Sequence, residues 1–159
     1  MSMYKMFHTA SSGITTYKSN NRIYGFRMQF PTEGFSVEED WEVAVHKVYF
    51  VPRGGAKQCV GLYSSAAEHL ALGDPPFSDE RLGNKYKSMD YFKLGADGYM
   101  IDHQKTYVPC FTGTLTTITF FFYELLLPEL QPMTAIHTDK LETDRKFVYV
   151  VLHFRRRPA

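Results

Sequence analysis

The residues able to do chemistry are scattered along the chain. Six histidines stand at His8, His46, His69, His103, His137 and His153, and no two are separated by two or four positions. No strand or helix can therefore offer a local pair of imidazoles to a metal ion. His46 and His153 fall inside apolar runs, where a hydrogen-bonded structural histidine is expected. Asp102, His103 and Cys110 contain the parts of an orienter, base and nucleophile, but no nucleophile elbow surrounds them. Arg53-Gly54-Gly55-Ala56-Lys57 has the ingredients of an anion loop. A phosphate-binding loop needs four residues between its glycines and a helix behind them, so a hairpin turn is expected here. Glu38, Glu39, Asp40 and Glu42 crowd one charged connector, which is not how a glycosidase spaces its two carboxylates. No catalytic residue, cofactor or metal is assigned, and an enzyme is not expected.

Two features remain. Cys59 and Cys110 form no disulfide framework and no zinc spacing, so two free thiols and synthesis in a reducing compartment are expected. Between Arg145 and Arg157 there are five basic groups and no acidic one. Arg155, Arg156 and Arg157 could grip the phosphates of a nucleic acid, weakly, or an acidic partner surface. A solvated end that protects a strand edge by its charge accounts for them as well.

Composition narrows the class of protein. Eighteen basic and seventeen acidic residues in 159 leave a net charge of +1, which argues against a nucleic-acid coat or an acidic tail. Thirteen Phe, eleven Tyr and one Trp make the chain 16% aromatic. Such residues favour strands and bury large areas. The length suits one domain, residues 1–159. The most apolar run, Ile118 to Leu127, is too short to span a bilayer as a helix and contains Glu124. Met1 to Tyr17 lacks the apolar core of a signal peptide.

The elements that must position these groups are mostly strands. Arg22 to Phe30 alternates, with Tyr24, Phe26, Met28 and Phe30 on one face. Trp41 to Val51 is apolar on both faces and predicts a central strand covered on both sides. Lys57 to Tyr63, Thr114 to Leu127 and Arg145 to Arg156 read as further strands, and a short one is expected near Ala135 to His137. Tyr91 to Leu94 and Tyr99 to Ile101 flank Gly95-Ala96-Asp97-Gly98, a hairpin signature. Ser64 to Leu72 carries helix signals, and Asp79 to Met89 fits a short helix or a loop. The prediction is an all-β, antiparallel β-sandwich of jelly-roll type, with one or two short helices in an insertion around 64–89. Its core is expected to contain Phe26, Phe30, Trp41, Val45, Phe120, Phe122, Val150 and Leu152.

Both ends of the chain carry a resemblance. Asn20-Asn21-Arg22-Ile23-Tyr24-Gly25-Phe26-Arg27-Met28-Gln29-Phe30-Pro31, then Phe35-Ser36-Val37 and Trp41-Glu42-Val43-Ala44-Val45, resemble the opening of small structural proteins of polinton-like and adintovirus-like DNA viruses and elements. Val150-Val151-Leu152-His153-Phe154-Arg155-Arg156 is similar to their closing Leu-His-Phe-Arg strand. Phe30-Pro31 stands where those chains have Leu-Pro, and Val45 where they have Leu. The resemblance implies a capsid, vertex or appendage subunit, made in the host cell and located in the virion. It would act by self-association, as a homo-oligomer, and by docking to other virion proteins. It implies no catalytic residue, and residues 56–113 lie outside it. The competing expectation is a β-sandwich binding module that takes a peptide, glycan or receptor in its end loops. An enzyme with a dispersed site ranks last.

Overall fold

The computed structural model describes residues 2–30, 34–57, 59–67, 89–126 and 136–158. Its strands are β1 (Ser2–His8), β2 (Ile14–Ser19), β3 (Arg22–Gln29), β4 (Phe35–Val37), β5 (Trp41–Tyr49), β6 (Val60–Ser64), β7 (Asp90–Leu94), β8 (Met100–Ile101), β9 (Val108–Pro109), β10 (Gly113–Leu115), β11 (Thr117–Leu126), β12 (Ile136–Lys140) and β13 (Tyr149–Arg156). Four antiparallel pairings nest inside one another: β1 with β13, β3 with β11, β5 with β9, and β6 with β7. A chain paired in that order is one long hairpin. Rolled up, it gives a sheet of order β1-β13-β5-β9 and a second containing β3-β11-β6-β7, which is the jelly roll. β2 and β8 extend the second sheet at its two ends, β12 pairs with β11, and β4 with β10 makes a small ribbon. No helix occurs among the described residues. Most of the segment in which helices were expected, residues 68–88, lies outside them.

The inner faces of the two sheets close on each other. Phe7, Val45, Val48, Phe50, Val150, Leu152 and Phe154 come from the first sheet and its ends, and Phe26, Leu62, Ile118, Phe120 and Phe122 from the second. Phe50 stacks on Phe122 at 4.2 Å between centroids, and Phe7 meets Phe120 at 5.5 Å. Each such side chain contributes about 1.5–3 kcal/mol by leaving water. Gly25 sits where β3 passes close to β11. A Cβ there would lie 2.4 Å from the Phe120 carbonyl oxygen, so the sequence needs glycine in mid-strand. Asn20 and Asn21, both at positive φ, make the tight turn from β2 into β3.

The structure corrects several expectations. Tyr17 pairs with Gly25 and Lys18 with Ile23, so Tyr24 is an extra residue in β3. This bulge turns Tyr24 away from Phe26, toward Tyr17 and Phe121. Phe30 follows the last residue of β3 and is only half-buried at the rim of the core. β5 is central, between β13 and β9, but it is covered on both faces only around Ala44. A bulge opposite Val151 and Leu152 shifts its phase, so Val43 and Val45 before the bulge and Val48 after it all point inward. β13 starts at Tyr149, four residues later than its sequence pattern suggests, and β1 and β2 carry no strong strand signal.

Candidate functional site

The bulge in β5 determines what the first sheet shows on its outer side. Lys47 lies opposite Val151 and Val45 opposite Leu152, which leaves His46 without a cross-strand partner. His46 and Lys47 consequently both leave the core and join Glu42 and Tyr49 outside. β13 adds Tyr149, Val151, His153 and Arg155 to this face, and β1 adds Tyr4, Met6 and His8. Tyr4 is 55% exposed and Met6 48%, while Tyr99 at 45% and Phe147 at 40% stand beside the same face. Large apolar side chains this open and this concentrated make the face the candidate functional surface.

At one end the rings touch. Tyr49 lies 5.0 Å from Tyr99, 6.2 Å from Phe147 and 5.9 Å from Tyr149, and His8 is 5.7 Å from Phe147. The Gly95–Gly98 turn, closed by a bond from the Gly98 N–H to the Gly95 carbonyl, presents Asp97 and Tyr99. Gly98, at φ 91°, is pressed against Phe50 and Val51, where a side chain would collide. Tyr49, Asp97, Tyr99 and Phe147, with Arg145 and Lys146, line an open cleft of about 650 Å³. Burial and the neighbouring Tyr99 push the Tyr149 hydroxyl above its ordinary range.

At the other end Tyr4 stacks on His153 at 4.3 Å and leans on His46 at 4.7 Å. The Tyr107 hydroxyl bonds His153 Nδ1 at 2.6 Å. The Lys105 ammonium is 3.5 Å from the Tyr4 hydroxyl. Burial first, then Lys105, lowers both His46 and His153 below the usual histidine value. The Arg155 guanidinium lies 3.4 Å over the Tyr107 ring and reaches Glu42 at 2.7 Å.

That last contact belongs to a larger cancellation. Arg156 meets Glu38 at 3.1 Å and Asp40 at 3.8 Å, and the Arg157 backbone N–H donates to the Asp40 carbonyl. The acidic connector and the arginine run thus neutralise each other, and of the three side chains Arg157 is the one left exposed with no ion pair among the described residues. The three arginines should therefore be unequal. Replacing Arg156 and Arg157 with Ser is expected to leave the melting temperature within a few degrees, since exposed pairs contribute little. Arg155→Ser strips a cation from Tyr107 and leaves the largely buried Glu42 unpaired, a loss of about 1–3 kcal/mol. Thermal melts of the double and single variants check the order.

The remaining sequence candidates do not assemble. His103 Nε2 lies 3.1 Å from the buried Asp90, not from Asp102, and the contacts to Asp90 raise its pKa. Cys110 is buried, which pushes its thiol up to about 12 and makes it inert. Both cysteines are free. Gly54 and Gly55 form an open turn, with the Gly55 N–H donating to the Pro52 carbonyl. Among the described residues no three His, Cys, Asp or Glu side chains converge to hold a metal, and no helix is long and apolar enough to cross a membrane. Of the expected core residues, Phe26, Trp41, Val45, Phe120, Phe122, Val150 and Leu152 are buried, and Phe30 is the exception.

Fold and surface together define an antiparallel jelly-roll sandwich whose outer sheet face is aromatic, histidine-rich and basic. No family model, curated protein or solved structure matches the chain.

Proposed function

We propose that the chain is a non-enzymatic structural protein of a virion, a capsid, vertex or appendage subunit. It associates with its own copies through β1, the edge strand of its sheet among the described residues, and docks other virion components on its outer face. The observation that carries this reading is the outer row of β13. Phe147, just before the strand, is 40% exposed and Tyr149 and Val151 stay partly exposed, while Val148, Val150 and Leu152 fill the core. A strand in a two-layer sandwich needs one apolar face, and the second one calls for a partner. The rolled-hairpin topology supports the reading by analogy, since capsid proteins share it with lectins and cupins. The resemblance at both ends of the chain falls on β3, β5 and β13. Light scattering on the purified chain tests the proposal, with a defined oligomer expected. A strict monomer at every concentration, whose outer-face variants bind everything the parent binds, would sink it.

A second reading has one observation in its favour. The cleft of Tyr49, Tyr99, Phe147, Asp97 and Arg145 lies beside two loops at one end of the sandwich, where a binding module would receive a peptide or glycan. A monomer that captures such a ligand in this cleft identifies that class.

A further inference from the structure

We propose that the outer face of the β1-β13-β5-β9 sheet binds single-stranded nucleic acid. The proposal rests on the docking reading of this face and names its occupant. Two kinds of group are interleaved there. The first is a set of open rings, Tyr4 at one end and Tyr99 with Phe147 at the other. Tyr4 pairs with His153 and His8 with Tyr149, four residues further along, so the two platforms stand about 13 Å apart. The second is a set of cations. Lys47 and Lys105 flank the histidine end, and Arg145 and Lys146 line the aromatic cleft. None of these four has a carboxylate partner among the described residues. The carboxylates nearby are Asp97 and Asp102, with Glu42 already held by Arg155. Counted without its histidines, the face therefore carries an excess of two positive charges.

The pairing of rings and cations selects the occupant. Phosphates satisfy the cations, and unstacked bases lie on the rings whatever their identity. A duplex hides the faces of its bases, so it would use only half of the surface. An acidic polypeptide satisfies the cations and leaves the rings unused. The single strand is the ligand that uses both sets.

Fluorescence anisotropy with a labelled thymidine oligonucleotide and a duplex of equal length decides the matter. The single strand is expected to bind better than the duplex. The slope of log affinity against log salt should be about −3, from four released counterions. Tyr99→Ala and Phe147→Ala should each weaken binding by roughly 5- to 150-fold. Lys146→Ser should flatten the salt slope by about 0.7. Arg27→Ser, exposed on the other sheet, should change nothing. All four substitutions are on the surface, and melting temperatures close to the parent's show that each variant is folded. Three results overturn the inference: no binding at low salt, equal binding of duplex and single strand, or ring variants that bind like the parent while polyglutamate competes as well as the oligonucleotide. If the oligonucleotide fails but Tyr99→Ala and Phe147→Ala still alter capture of a virion protein, the docking reading stands and the nucleic acid falls. If neither changes, both fall.

Discussion

Val150→Asp is expected to yield insoluble or unfolded protein. Val150 is fully buried, with Phe7 of β1 on one side and Val48 of β5 on the other. Among the described residues no Lys or Arg is buried, so the carboxylate would be buried without a cation partner, at a cost of several kcal/mol. A domain of this size has about 5–15 kcal/mol in all, so one such change consumes most of the margin. Val150→Thr, nearly the same shape with one hydroxyl, should lose about 1–3 kcal/mol and stay folded. Soluble yield and circular dichroism of the two variants separate the outcomes. An Asp variant that melts like the parent would remove β13 from the centre of the sheet.

Trp41→Ala should lower stability by about 3–5 kcal/mol. Trp41 begins β5 and is 7% exposed, packed into the same cluster as Val43 and Val45. Its carbonyl accepts the Cys110 N–H, which ties the start of β5 to the chain beyond β9. Truncation therefore opens a cavity where three segments meet. Tyr91→Ala removes an aromatic ring of similar size from an exposed position and should stay within about 0.5 kcal/mol of the parent. Urea midpoints for the two variants measure the contrast, and equal midpoints would place Trp41 outside the core.

The inner rows were legible because each side chain in them reports burial by its own type. Trp41 and Val45 in β5 and Val150 and Leu152 in β13 are expected inside from their side-chain type, and all four are buried. Bulges are not legible in that way. One extra residue reverses the phase of everything after it, so the apolar groups before and after His46 read as two faces when Val43, Val45 and Val48 share one. Tyr24 was misplaced for the same reason. Charge misled in the opposite direction. Arg155 to Arg157 are adjacent in sequence and so look like a site, yet the roll brings Glu38, Asp40 and Glu42 against them. Lys47, Lys105 and the Arg145-Lys146 pair are far apart in sequence and reach one surface only through the fold. A net charge of +1 conceals such a patch, because charge balance is a sum and a surface is a selection.

The nesting of the strand pairs also sets a timetable for biosynthesis. Ser2 lies opposite Arg155 and the β6–β7 pair is innermost, so β1, which emerges before the other strands described, is the last of the nested set to find its neighbour. At about 5–20 residues per second, β1 waits on the order of 10–30 s for β13 to emerge. Throughout that interval Tyr4, Met6 and Phe7 are in solution without the strand that orders them, and closing so long a loop is slow even afterwards. The emerging roll is thus most vulnerable to misassociation at β1, and it becomes secure only when β13 arrives beside that strand.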